Sequence, residues 1–197
     1  MVMRVYGSLY SPGEAKAPEY IAKHPFAQIP LIEDEDGFTL FESRAIARYI
    51  ILKYAPEGGL IPKGLKENAL FEQSVSIESS NFTPHAIDIS IEFFKPITTG
   101  KQTDETRLAE LNEIFNNKLK GYEAILSKNT YIAGNSLSLA DLFHLPMGTL
   151  MTETMGFKGF DDYPNIKRWW KDISSRPNWR EIWSEVNLSF TEEIKKL

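Results

Sequence analysis

The spacing of apolar residues changes near residue 56, and this change constrains the fold more than any other feature of the sequence. Before it, short apolar runs alternate with turn signals, which is typical of strands. After it, apolar residues recur every three or four positions, which is typical of amphipathic helices. Because mixed elements followed by helices indicate separate units, we expect an α+β protein of two domains. We place the first at residues 1–55, a linker at 56–65 and an all-α domain at 66–197.

Short elements are predicted throughout the first domain. Residues 2–6 predict a strand, and residues 17–24 predict a short helix with Pro18 in its first turn. The run "IPLIEDEDGFTLFE" predicts a hairpin that turns at Gly37, and "SRAIARYIILKYA" predicts the next helix. The following "PEGGLIPKG" is rich in proline and glycine, so it is the best candidate for the linker.

The second domain reads as helix almost throughout. Residues 103–127 keep one apolar stripe, which predicts a long amphipathic helix. Ser138 and Asp141 have the spacing of a capping box, with aspartate in place of glutamate. A further helix is predicted to begin at Pro164 and to end at Arg176-Pro177, and the tail "SFTEEIKKL" is expected to be a solvated terminus.

Composition excludes several classes of function. The formal net charge is −5 and basic residues do not cluster, so we expect neither nucleic-acid binding nor attachment to an anionic membrane. There is no cysteine, so any thiol chemistry has to use a thiol supplied by a ligand. His24, His85 and His144 lack the spacing of metal ligands, and we assign no metal. Without a signal-peptide pattern or a long apolar run, a cytoplasmic location is expected.

Three separated motifs carry a resemblance to a known family. They are "HPFAQIPLIEDEDGFTLFESRAIARYI", "YIAGNSLSLADLFHLP" and "YPNIKRWWKDISSRP". Together they resemble the cytosolic glutathione transferases, and most closely the phi class of plants and its fungal relatives. The resemblance implies a thioredoxin-like first domain, a helical second domain, a homodimer, and glutathione as the cosubstrate that is conjugated to a small hydrophobic electrophile.

The resemblance also implies residues that hold glutathione, all of them in the first domain. They are Lys16, Gln28, Ile29, Pro30, Glu42 and Ser43. In the family pattern a cis proline at Pro30 leaves the Ile29 backbone to bond the peptide ligand, and Ser43 meets a carboxylate at a helix N-terminus. Taken singly, three of them have an ordinary explanation: Ser43 as a helix cap, Lys16 as a surface lysine, and Pro30 as an edge-strand proline.

A serine after the first strand is the activating residue that the resemblance implies, and it corresponds to Ser11. Its hydroxyl would donate a hydrogen bond to the glutathione sulfur and favour the thiolate. Ser8 is a nearby competitor for this role. The electrophile is expected between the domains, beside Tyr10, Ile89 and Phe93, although core packing explains these residues equally well.

The sequence departs from the family pattern directly after Ser11. A helix and an edge strand, together about 25–30 residues and enough for one crossover unit, are missing between Pro12 and Gly13. Two explanations stay open: the sequence omits residues that the natural protein has, or the natural protein lacks them. A true deletion would favour a non-catalytic binding protein over the transferase, and a glutathione-dependent peroxidase is a third possibility. Ala15 also stands where many phi-class members carry histidine.

Overall fold

The computed structural model describes residues 3–7 and 17–194, with side chains as far as residue 186. The chain divides into two compact units, Met1–Gly58 and Gly59–Leu197. The division falls inside the stretch that the sequence predicts as a linker.

The first unit is built on a small antiparallel sheet. Its described strands are β1 (Arg4–Tyr6), β2 (Leu31–Glu33) and β3 (Thr39–Phe41), in the spatial order β1-β2-β3. Gly37, at a φ of 84°, lies in the turn between β2 and β3, a conformation that glycine adopts without steric cost. Two helices complete the described part of this unit, α1 (Pro18–Lys23) and α2 (Ser43–Tyr54).

A partly buried ion pair fixes helix α2 to the hairpin. Asp34 is 5% exposed, and its carboxylate accepts hydrogen bonds from the Lys53 ammonium at 2.5 Å and from the Tyr49 hydroxyl. The hydrogen bond from Lys53, with that from Tyr49, lowers the pKa of Asp34 to about 2. Because α2 begins directly after β3, this contact sets the direction of the whole helix from its far end.

The described residues of the second unit are mostly helical. Its α-helices are α3 (Leu65–Asn81), α4 (Thr83–Thr99), α5 (Glu105–Leu126), α6 (Leu139–Leu142), α7 (Leu145–Thr149), α8 (Pro164–Ser174) and α9 (Pro177–Ile194). A π-turn (Leu150–Thr154) continues α7, and a 3₁₀ turn (Gly159–Asp162) precedes α8. The predicted stripe of α5 faces the core, where Phe115 and Leu119 are fully buried.

Asp141 is the polar centre of this helical core and lies fully buried in α6. Its carboxylate accepts hydrogen bonds from the backbone N–H and the hydroxyl of Ser138, at 2.9 and 2.8 Å. It also accepts from the Ile132 N–H and from the Trp169 indole, both at 2.9 Å. The predicted capping box of Ser138 and Asp141 is confirmed, and the same carboxylate additionally fixes α8.

The helix predicted to begin at Pro164 and to stop at Arg176-Pro177 is confirmed as α8. A further helix, α9, begins at Pro177 and was not predicted; proline is well tolerated in the first turn of a helix. The helix is fixed to the preceding segment by two indoles. Trp183 donates to the Glu153 carboxylate in the π-turn, and Trp179 donates to the Thr149 hydroxyl, both at 3.0 Å.

No helix within residues 3–7 and 17–194 has the length and apolar character needed to cross a membrane.

Candidate functional site

Three segments of the first unit meet at one end of its sheet. Tyr6, the last residue of β1, pairs with Leu31, the first residue of β2, and Leu31 pairs in turn with Phe41, the last residue of β3. The chain therefore leaves β1, enters β2 and leaves β3 at the same end. A Cβ placed on Gly7 would lie only 3.9 Å from the Cβ of Pro30, which shows how closely the segments approach.

The segment before β2 presents its backbone to solvent. Ile29 is 42% exposed, and its peptide bond to Pro30 is cis, the form that the resemblance implies. Within the described residues, neither the N–H nor the carbonyl of Ile29 has a hydrogen-bond partner. The preceding carbonyl, that of Gln28, accepts a hydrogen bond of 2.5 Å from the Tyr20 hydroxyl. One peptide group therefore has its carbonyl held by Tyr20, while its N–H, that of Ile29, has no partner among the described residues.

The segment after β3 forms the N-terminus of α2. Glu42 is the N-cap residue at a φ of 72° and a ψ of 109°, and its side chain makes no capping hydrogen bond. A positive φ is uncommon outside glycine and costs on the order of 1–3 kcal/mol, and such residues cluster at functional sites. Ser43 is exposed and is the first helical residue, so the explanation of Ser43 as the helix cap does not hold.

This helix end is suited to a carboxylate. The first turn of any α-helix has N–H groups without intrahelical partners, and the helix dipole adds partial positive charge there. In α2 the first intrahelical bond joins the Ile46 N–H to the Glu42 carbonyl at 2.9 Å. The exposed Ser43 hydroxyl adds a donor beside these N–H groups.

An aromatic stack underlies the two segments and was not predicted from the sequence. The His24 ring stacks on Phe41 with 4.3 Å between centroids, and more distantly on Tyr20, at 6.0 Å. Phe41 directly precedes Glu42, while Tyr20 holds the Gln28 carbonyl. The aromatic residues of "PEYIAKHPF" were the available signal, but their spacing in a six-residue helix does not show what they contact.

The remaining predicted site residues are either outside the described residues or in the helical unit. Tyr10, Ser11 and Lys16 lie outside the described residues. Ile89 is 2% exposed in the core face of α4, and Phe93 is half-buried with its ring edge-on to Phe94. Their role beside an electrophile stays a prediction.

The described histidines do not form a metal centre. Across 3–7 and 17–194 there is no group of three or more His, Cys, Asp or Glu residues able to hold a metal ion. His144 is fully buried; its Nδ1 donates to the Ala140 carbonyl at 2.9 Å, so its Nε2 accepts from the Tyr122 hydroxyl at 3.0 Å. Burial lowers the pKa of His144 and keeps it neutral.

Two family models match the chain. The model for the N-terminal domain of glutathione S-transferase matches residues 9–51, and the model for the C-terminal domain matches residues 82–177. A relative from Arabidopsis thaliana, glutathione S-transferase PM239X14, is 42% identical over 161 residues, which cover 80% of this chain and 73% of that protein. The curated relatives include further plant phi-class proteins at 37–40% identity.

Solved structures of plant glutathione transferases are also similar to this chain. Glutathione transferase F7 from Populus trichocarpa superposes with a TM-score of 0.81 at 36% identity, over 90% of this chain and 84% of that one. Glutathione S-transferase I from maize, in complex with a glutathione conjugate of atrazine, superposes with a TM-score of 0.79 at 31% identity. That match covers 90% of this chain and 82% of the maize chain.

Proposed function

Because the chain belongs to the glutathione S-transferase family and groups with its phi class, we propose that the three segments at one end of its sheet bind glutathione. The expected fold, a thioredoxin-like unit followed by a helical unit, is confirmed by these relatives. The protein is a glutathione transferase that conjugates glutathione to electrophiles. The carrier and peroxidase alternatives are not favoured, since the relatives named above are transferases.

The observation that carries the proposed site is the register of the sheet. Since Leu31 pairs with both Tyr6 and Phe41, the Ile29 backbone and the N-terminus of α2 lie side by side at one end. These two features are complementary to a peptide that has a carboxylate at its γ-glutamyl end. The chain also leaves β1 at this end, and the residues that follow along the chain, Ser11 included, lie outside the described residues.

We assign the roles as follows. Ile29 bonds the cysteinyl backbone of glutathione, with Gln28 beside it, and Pro30 holds the turn into β2. The γ-glutamyl carboxylate lies at Ser43 and the first N–H groups of α2, with Glu42 setting the entry into the helix. Lys16 meets the glycyl carboxylate at the other end of the tripeptide.

Ser11 acts on the thiol. Glutathione supplies the sulfur nucleophile, and the Ser11 hydroxyl donates a hydrogen bond that favours its charged form. Each unit by which the thiol pKa falls corresponds to about 1.4 kcal/mol of preference for the thiolate. Tyr10, Ile89 and Phe93 supply apolar surface for the electrophile. An aromatic electrophile is the probe to use, because the maize relative binds a glutathione conjugate of atrazine.

Steady-state conjugation of a chlorodinitrobenzene probe tests the roles of the two serines. Ser11→Ala should lower kcat/KM by at least about tenfold, the effect of one charge-assisted hydrogen bond, and should move the acid limb of the rate profile to higher pH. Ser8→Ala is the matched control and should change neither quantity. Equal rates for wild type and Ser11→Ala would remove Ser11 from the mechanism.

Ser43→Ala tests the binding role separately. A hydrogen bond to a charged group contributes about 1.5–3 kcal/mol, so the KM for glutathione should rise roughly 10- to 150-fold. The KM for the electrophile should be unaffected, because the hydroxyl is proposed to contact only glutathione. If wild type binds glutathione but produces no conjugate, the carrier function replaces the transferase.

We further propose that the protein is a cytoplasmic homodimer. A partner would cover apolar side chains that the described units expose, among them Phe26 in the first unit, which is 69% exposed, and Ile91 in the second. Light scattering on the purified protein should give twice the chain mass of 22.5 kDa. A mass equal to one chain at micromolar concentration would contradict this proposal.

A further inference from the structure

The Tyr20 hydroxyl is positioned to control one peptide group of the proposed glutathione site. Tyr20 is 8% exposed, and its hydroxyl donates to the Gln28 carbonyl at 2.5 Å. Burial raises the pKa of Tyr20 above its ordinary value, so the hydroxyl remains a donor throughout the neutral range.

The ring of Tyr20 is held from several sides, so its hydroxyl has a defined position. It packs against Leu31 in the core of the first unit, with Ala17 and Phe41 at the edge of the same cluster. Tyr6 meets it edge-on with 6.3 Å between centroids. A hydroxyl on a ring fixed in this way acts as a stationary anchor for the backbone it bonds.

The anchored Gln28 carbonyl and the Ile29 N–H, which has no partner among the described residues, belong to the same peptide group. The Gln28 carbonyl and the Ile29 N–H lie in one plane, and because this bond is not among the cis bonds of the described chain, they point in opposite directions. The carbonyl points at the Tyr20 hydroxyl. The Ile29 N–H consequently points away from that hydroxyl, and Ile29 as a residue is 42% exposed.

We propose that Tyr20 is a positioning residue for glutathione: its hydroxyl orients the Gln28–Ile29 peptide so that the Ile29 N–H faces the tripeptide. This inference rests on the proposed function, since it concerns the same site. Tyr20 touches the binding backbone and not the ligand, so its loss changes the affinity for glutathione while the chemical step is retained. Without the anchor, the peptide plane rotates, and the N–H must be reoriented each time glutathione binds.

Tyr20→Phe removes only the anchoring hydroxyl. With a typical net contribution for one hydrogen bond, the KM for glutathione should rise about fivefold, with kcat and the KM for the electrophile within about twofold of wild type. Tyr131→Phe is the matched control, because it removes a tyrosine hydroxyl that donates to the Asp172 carboxylate at 2.6 Å in the second unit and has no part in the proposed site. It should leave all three constants unchanged.

A purely structural role would give a different result. It would lower the melting temperature and the fraction of active protein, and thus the apparent kcat, without changing the KM for glutathione. That outcome, or equal glutathione KM values for the two tyrosine variants, overturns the inference. If Ser43→Ala still raises the KM for glutathione in that case, the proposed site stands and only the role of Tyr20 fails.

A measurement on the wild-type protein does not depend on how the variant folds. Hydrogen exchange of the Ile29 amide, followed by NMR, should slow at least about fivefold when glutathione saturates the protein, since one added hydrogen bond shifts such an equilibrium by about that factor. Unchanged exchange at Ile29 with other amides of the site protected overturns the inference alone. Absence of any glutathione binding overturns both the inference and the proposed function.

Discussion

Replacing Asp141 by alanine tests how much of the helical unit depends on one carboxylate. The substitution removes the acceptor for the Ile132 N–H, the Ser138 N–H, the Ser138 hydroxyl and the Trp169 indole. The hydroxyl can rotate toward another acceptor, but the other three donors belong to fixed groups in a buried region. Asp141→Ala therefore leaves three donors without their partner.

The expected loss follows from these three donors. Each buried donor without a partner costs about 1–3 kcal/mol, and the sum is reduced because water enters the space left by the carboxylate. We expect Asp141→Ala to lower the free energy of unfolding by about 4 kcal/mol. For a unit of this size, this loss lowers the melting temperature by about 12 °C. Ser138→Ala removes only one of the four bonds and should cost about 1 kcal/mol.

Tryptophan fluorescence reports this loss directly. All four tryptophans, at 169, 170, 179 and 183, lie in the second unit, so urea unfolding followed by their emission measures that unit alone. Asp141→Asn keeps one acceptor oxygen, that of the side-chain amide. Its loss in free energy of unfolding should therefore lie between those of Asp141→Ala and Ser138→Ala. A cost below about 1 kcal/mol for Asp141→Ala, or an equal cost for Ser138→Ala, would refute the assignment of Asp141 as the shared acceptor.

Two further predictions concern stability. Because the folded-state pKa of Asp34 is lowered to about 2, its contribution is present above the ordinary carboxyl pKa and is lost as the pH falls from about 4 toward 2. Asp34→Asn should therefore lose less stability than wild type between pH 5 and pH 2.5 in urea melts, and parallel curves would contradict this. Gly121→Ala in α5, where an added Cβ meets nothing within 4 Å, should stabilise the protein by about 0.5–1 kcal/mol. Gly148→Ala in α7, where the Cβ would lie 2.5 Å from the Trp170 ring, should destabilise the protein by about 1–3 kcal/mol. Thermal unfolding of the two glycine variants should therefore show a raised melting temperature for Gly121→Ala and a lowered one for Gly148→Ala.

Local signals predicted most of the fold. Gly37 marks the hairpin turn, and the Ser138–Asp141 spacing marks the start of α6, because both depend on residues close in the chain. Arg176-Pro177 correctly predicted the end of α8 but not the start of α9, since proline is compatible with both the end of one helix and the first turn of the next. Sequence spacing alone does not distinguish these two positions.

The candidate site was predictable only in part. The motif around Ile29 and Ser43 identified the exposed segments, and the register of the sheet brings them to one end. The contact between Tyr20 and the Gln28 carbonyl was not predictable, because it depends on how α1 packs on Leu31. In the same way, the Asp141–Trp169 bond joins residues 28 positions apart, beyond the reach of any local pattern.

The π-turn after α7 affects which changes in chain length the protein can accept. The Met155 N–H bonds the Leu150 carbonyl at 3.1 Å, so this turn holds one residue more than an α-helical turn. Deleting a single residue there lets the segment close as an ordinary α-turn. The same deletion inside α5 would rotate every later side chain of that helix by about 100° and move its apolar stripe off the core. Natural single-residue deletions should therefore be accepted at the π-turn and excluded from α5.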